Sequence, residues 1–127
     1  MQQDYIVRQI QALAQVLARV LVSKRSDQPV IAQQALADGL ARVTGLDLPA
    51  LRGLSRDEAL ALCAPGGALG GDTAVALAEV LAHDASPDGR RRALWLYEWA
   101  LASGGAVPFD VHERLASLRA SLTPPVA

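Results

Sequence analysis

The chain has 127 residues, with 12 Lys and Arg against 13 Asp and Glu and a formal net charge of -1. That length suits one domain burying roughly two thirds of its unfolded surface, and the charge leaves no basic surplus to attract nucleic acid or an anionic membrane. Ala and Leu supply about a third of the residues and aromatic residues only 4%, a composition that favours helix over extended sheet.

The first predicted helix spans residues 4–22. Ile6, Ile10, Leu13, Leu17 and Val20 recur at alternating spacings of four and three, with Val7, Ala14 and Leu21 beside them. About three apolar positions in seven suit a globular bundle better than the narrower seam of a two-stranded coiled coil. Val16 and Val22 extend the apolar surface further, so either one domain covers it all or a second chain does. Gln11, Gln15 and Arg19 interrupt the run and no basic stretch precedes it, which argues against a signal peptide. No uninterrupted apolar stretch of about eighteen residues occurs, so no membrane-spanning helix is expected.

A turn is predicted over residues 23–28, where Lys24, Arg25, Ser26 and Asp27 meet Pro29, a residue suited to the first turn of a helix. The second helix should carry Ala32, Leu36, Leu40 and Val43 inward and end at Gly45, with Leu46 folding back on it. Gly39 within it costs about 1 kcal/mol relative to Ala, which implies a close helix contact near Ala35 and Gly39. Residues 46–54 support one turn. Ser55 and Glu58 then form a capping-box pattern before a short helix to Cys63. Residues 64–71 read as a flexible loop, Asp72 as the cap of a helix with Ala74, Leu77, Val80 and Leu81, and Ser86-Pro87 as the next helix start. Gly104-Gly105 should stop that helix. Asp110 and Glu113 look like a second cap pair, opening a helix with Val111, Leu115, Leu118 and Leu122 inward. The short connection predicts that the last two helices are antiparallel neighbours.

The opening Asp4-Tyr5-Ile6 with Arg8-Gln9-Ile10, and the runs Gly45-Leu46-Asp47 and Leu54-Ser55-Arg56-Asp57-Glu58-Ala59-Leu60, resemble a family of short bacterial helical proteins whose activity is unassigned. That resemblance covers about two thirds of the chain and implies an all-helical bacterial domain, with no functional residue to carry over. The run from Leu94 to Leu101 is similar to the second helix of a tetratricopeptide-type repeat, which implies stacked helix pairs around a partner groove. Only one copy is visible, and arrays need about three units, so the resemblance reduces to a repeat-like helical hairpin.

Trp95 and Trp99 lie one turn apart, on the flank opposite Tyr97 of a helix that is apolar nearly all round. Such a helix either sits centrally with both rings covered or offers the tryptophans as an interface. With Val7, Val16 and Leu21 of the first helix they form the candidate association surfaces. Arg90, Arg91 and Arg92 are the only run of like charge and could supply planar donors to a phosphate or carboxylate. They stand at a helix start, where the dipole disfavours cations, and a solvated face neutralised by Asp84, Asp88 and Glu98 is the plainer expectation.

His83 and His112 have no carboxylate or thiol at metal-ligand spacing, so both are expected on the surface and no metal is expected. Cys63 stands alone, which excludes an intramolecular disulfide and suits a reducing compartment such as the cytoplasm. Neither Cys63 nor Ser86 has a strained nucleophile turn or an identifiable base. The Gly66-Gly67 and Gly70-Gly71 pairs lack the Gly-Lys-Ser/Thr of a phosphate-binding loop.

Taken together, these features predict an all-α domain over residues 1–127 with a frayed tail over 123–127, built as a compact multi-helix bundle with a C-terminal antiparallel hairpin. It should need no cofactor and act by self-association, as a homodimer, or on a protein partner. Membrane-surface binding through the first helix is disfavoured by Gln11 and Gln15, which stand where such helices carry Lys and Arg. An enzyme whose site assembles only in space is the remaining class.

Overall fold

The computed structural model describes residues 2–64, 69, 73–103 and 107–123, with side chains from residue 5 onward. Among them are seven α-helices and no strand: α1 (Gln2–Arg25), α2 (Pro29–Thr44), α3 (Leu48–Arg52), α4 (Arg56–Ala61), α5 (Ala74–Leu81), α6 (Pro87–Ala102) and α7 (Val111–Leu122). The chain is an all-α bundle, as its composition predicts.

Helix α1 runs a turn beyond the expected Val22. Its end is closed by the Asp27 amide donating to the Lys24 carbonyl (3.1 Å) and the Gln28 amide donating to the Ser23 carbonyl (2.9 Å). Asp27 takes a left-handed conformation (φ 56°), so these bonds form a Schellman cap, and Lys24 and Arg25 favourably occupy the negative end of the helix dipole. Helix α2 begins at Pro29 and ends on Gly45 at φ 77°, whose amide donates to the Ala41 carbonyl. Asp47 caps α3 by accepting from the Ala50 amide, and Ser55 and Glu58 form both bonds of the expected capping box on α4. Ser86 caps α6 with Pro87 in its first turn. Asp110 makes no side-chain cap on α7; its carboxylate instead accepts from Arg114 Nε at 3.0 Å. The cap proposed at Asp72, the stop at Gly104-Gly105, the Pro124-Pro125 end of the tail and most of the expected loop over 64–71 lie outside the described residues.

Helix α1 packs most extensively on α2, α5 on α6 and α6 on α7, while α1 also meets α5 and α6 also meets α3 and α4. Helix α6 therefore has four neighbours, which explains its apolar surface nearly all round. Tyr97 meets Arg114 near the α6–α7 connection, and Arg90 and Ser121, farther from it, line one cleft; this is the pairing order of an antiparallel hairpin. The core joins Leu13, Val16 and Val20 of α1 to Leu36 and Leu40 of α2, Leu77, Val80 and Leu81 of α5, Leu96 and Tyr97 of α6, and Val111, Leu115 and Leu118 of α7.

The buried side of α1 is rotated from the predicted stripe. Gln9, Leu13, Val16, Val20 and Ser23 are buried, whereas Ile6, Ile10, Leu17 and Leu21 are half-covered. Gly39 sets this rotation: a methyl group there would lie 2.6 Å from Val16 Cγ1 and 3.0 Å from Val16 Cβ. The absence of a side chain on α2 thus admits Val16 between the helices. Val16, expected as an interface residue, is 7% exposed and belongs to the core.

Candidate functional site

The arginine run proves mainly structural. Arg92 donates from Nη2 (2.6 Å) and Nε (3.0 Å) to the Leu54 carbonyl and from Nη1 to the Asp88 carbonyl at 3.1 Å, and its guanidinium lies 4.7 Å from the Trp95 ring centroid. Arg91 pairs on the surface with Asp88 at 3.5 Å. Arg90 Nη1 donates to the Asp84 and Ala85 carbonyls at 3.3 and 3.2 Å. Asp84, expected to neutralise this run, is fully buried and accepts two bonds from Arg52 (2.8 and 2.6 Å) and one from the Ser86 amide (3.2 Å). Glu98 pairs with Arg119 at 3.1 Å. Both tryptophans are half-buried; Trp99 packs against the core and Trp95 is covered on one side by Arg92.

Polar side chains instead converge on a cleft of about 430 Å³ between α1, α5, α6 and α7. Its apolar wall is Leu17, Leu21, Ala82 and Leu118, and its polar groups are Glu79, His83, Arg90, Tyr97, Arg114, Ser117 and Ser121. Glu79 on α5 and His83 in the turn after it are four residues apart; Arg90 and Tyr97 on α6 are seven apart, and Arg114, Ser117 and Ser121 on α7 three and four. Seven residues span about 10 Å of helix, so the cleft has two chemically different ends.

At one end Arg114 pairs with Glu79 and Asp110 beside Tyr97. Burial works against the Arg114 charge, but Tyr97 and the Glu79 carboxylate more than offset it and raise its pKa. Burial holds the Tyr97 hydroxyl above its ordinary pKa of 10.0, so the phenol stays neutral. This end is internally satisfied.

The other end holds Arg90 and His83. His83, expected on the surface, is half-buried, and Lys24 Nζ approaches its Nδ1 at 2.9 Å. An ammonium can only donate, so Nδ1 accepts and the ring proton sits on Nε2. Burial, then the charges of Lys24 and Arg114, keep the His83 pKa below 6.5; burial and the Arg90 charge lower that of Lys24 below 10.5. Among the described residues no carboxylate lies within ion-pair distance of Arg90 or Lys24, and the buried Arg90 Nε has no hydrogen-bond partner. This end combines hydrogen-bond donors with uncompensated positive charge.

No three His, Cys, Asp or Glu side chains among the described residues could hold a metal ion together. His112 is exposed. Cys63 is buried, and burial raises its thiol pKa above 9.0 against a smaller opposing effect of the Thr73 hydroxyl, which disfavours the nucleophilic thiolate. Ser86 Oγ accepts from the Asp88 amide as a helix cap.

The second feature is the outward face of α1. Val7, Gln11, Ala14 and Ala18 follow one another at spacings of four and three opposite the buried side, with Leu21 at the edge beside the cleft and Val7 50% and Val22 59% exposed. Residues 9–18 contain no ionisable group. Val30 and Ile31 at the start of α2 add 78% and 48% exposed apolar side chains. By length and composition residues 5–25 of α1 could also cross a membrane, a property that core helices of soluble proteins share. Of the predicted interface residues Val7 lies on this outward seam and Leu21 at its edge, half-covered and lining the cleft; Trp95 and Trp99 belong to α6 and do not.

Fold and site define an all-α bundle with an amphipathic helix facing outward and a donor-rich cleft. Comparison with family models, curated proteins and solved structures finds no match for this chain.

Proposed function

We propose that the chain is a non-catalytic association module in which the outward seam of α1 docks against the same seam of a second copy. The observation that carries this reading is the charge-free stretch across residues 9–18, flanked by the exposed Val7 and Val22. Interface centres are depleted of charge, and alternating four-three spacing is the geometry by which one helix seats in another. Ala14 and Ala18 at the middle let two backbones approach closely, and an isologous contact places the same patch on both partners. Val22, Val30 and Ile31 extend the apolar surface at one end.

Light scattering on a sizing column at micromolar concentration tests this. A mass near twice 13.4 kDa is expected for the native chain and a monomer for Ala18→Glu, with the helical circular dichroism of the variant unchanged. A native mass of 13.4 kDa refutes self-association, and such a monomer that also co-sediments with anionic vesicles would reassign the face to lipid.

A further inference from the structure

We propose that the cleft between α1, α5, α6 and α7 binds a small amphiphilic carboxylate, with the anionic group at Arg90 and His83 and the apolar chain against Leu17, Leu21 and Leu118. The cleft lies in the range of small-molecule sites, which combine an apolar lining with a few converging polar groups, at about 430 Å³.

Ligand polarity follows from the hydrogen-bond inventory. Lys24 occupies His83 Nδ1, which leaves the ring an Nε2–H donor, and Arg90, which lines the same end of the cleft, has no carboxylate within ion-pair distance among the described residues. A carboxylate placed between them would be held by charge-assisted bonding. Lys24 stands behind His83 and adds positive charge without occupying the cleft. The carboxylate lining the cleft, Glu79, is already held by Arg114.

Ligand shape follows from the wall. Leu17 and Leu21 of α1 are half-covered by the bundle and face Leu118 across the cleft. An inorganic anion would leave that wall wet, whereas a short aliphatic chain covers it.

The test is a titration of the uniformly labelled protein followed by amide and arginine Nε–H resonances, using hexanoate, 1-hexanol and inorganic phosphate as probes. Hexanoate is expected to bind saturably, shifting the Arg90 Nε–H and the amides of His83, Ser117 and Ser121, at least tenfold more tightly than either other probe. Ser121→Asp, at an exposed position of α7 beside that end of the cleft, supplies an internal carboxylate and is expected to weaken hexanoate at least tenfold with the helical spectrum unchanged. Arg90→Gln should weaken hexanoate and leave hexanol unaffected. Equal binding of hexanol would make the cleft a plain apolar recess and overturn the proposal. Equal binding of phosphate, or hexanoate binding unchanged in Ser121→Asp, would overturn it as well.

Discussion

Replacing Gly39 by Ala sets two physical effects against each other. Ala is about 1 kcal/mol better than Gly inside a helix, so on propensity alone the variant gains stability. The added methyl group, however, would lie 2.6 Å from Val16 Cγ1 and 3.0 Å from its Cβ. Val16 is a β-branched residue in α1, and its single favoured rotamer cannot swing away. Separating the helices instead costs about 1–3 kcal/mol, as overpacked cores do. The net expectation is destabilisation by up to about 2 kcal/mol. Val16→Ala alone removes two buried methyl groups and should cost about 2 kcal/mol, counting lost burial and the cavity left. In that background the Gly39→Ala methyl fills part of the space, and the substitution becomes stabilising. Urea unfolding of the four proteins, followed by circular dichroism, reads the coupling directly; a sign reversal with about 2 kcal/mol of interaction energy is expected, within the range for touching residues. Additivity within about 0.5 kcal/mol, or a Gly39→Ala variant more stable than the native chain, would refute the contact as the reason for glycine.

Two further outcomes follow from buried polar groups. Arg52→Met strands the Asp84 carboxylate, and breaking a buried pair on one side costs about 3–5 kcal/mol; water reaching the 30% exposed Arg52 site places the expected loss at the lower end. Adding Asp84→Asn should recover part of it in the same urea experiment, because the neutral amide still accepts from the Ser86 amide. His83 has a folded pKa below its ordinary 6.5, so the unfolded chain binds more protons in the interval between the two values. Its contribution to stability is complete above pH 6.5 and declines as the pH falls toward the folded value; the thermal midpoint should fall on acidification through this window, less steeply in His83→Gln.

Helix boundaries were largely legible because their signals are local. Pro29 and Gly45 bracket α2, Ser55 with Glu58 caps α4, and Ser86-Pro87 starts α6, each within a few residues of the backbone groups it satisfies. Asp110 misled because a nearer cation, Arg114, takes its carboxylate. The rotation of α1 was hidden because the apolar surface spans more than one face and the choice is made by Gly39, on another helix. The glycine itself signalled a close contact, though not which valine would fill it. For the arginine run the neighbouring Asp88 was legible as a counter-charge, but the Leu54 carbonyl that accepts two bonds from Arg92 is 38 residues away. The cleft carried a signal that local reading passes over: the spacings of Arg90 with Tyr97 and of Arg114 with Ser117 and Ser121 each place polar groups on one helix face, and His83 follows Glu79 just past the end of α5. Only the fold brings those faces together.

The Arg92 bonds to the Leu54 carbonyl, together with the Arg52 pair to Asp84, bear on the order in which the molecule assembles. The α1–α2 pair and the α5–α6–α7 series are neighbours in sequence, so each can close over short loops and fold rapidly. Segment 48–61 belongs to neither and is tied by these two guanidinium groups to α6 and to the turn before it, whose Arg92 guanidinium and Asp84 carboxylate exist as a site only after α5 and α6 have met. The segment is therefore the late joiner and the first piece to detach, and amide exchange across α3 and α4 should report that opening below the free energy of global unfolding.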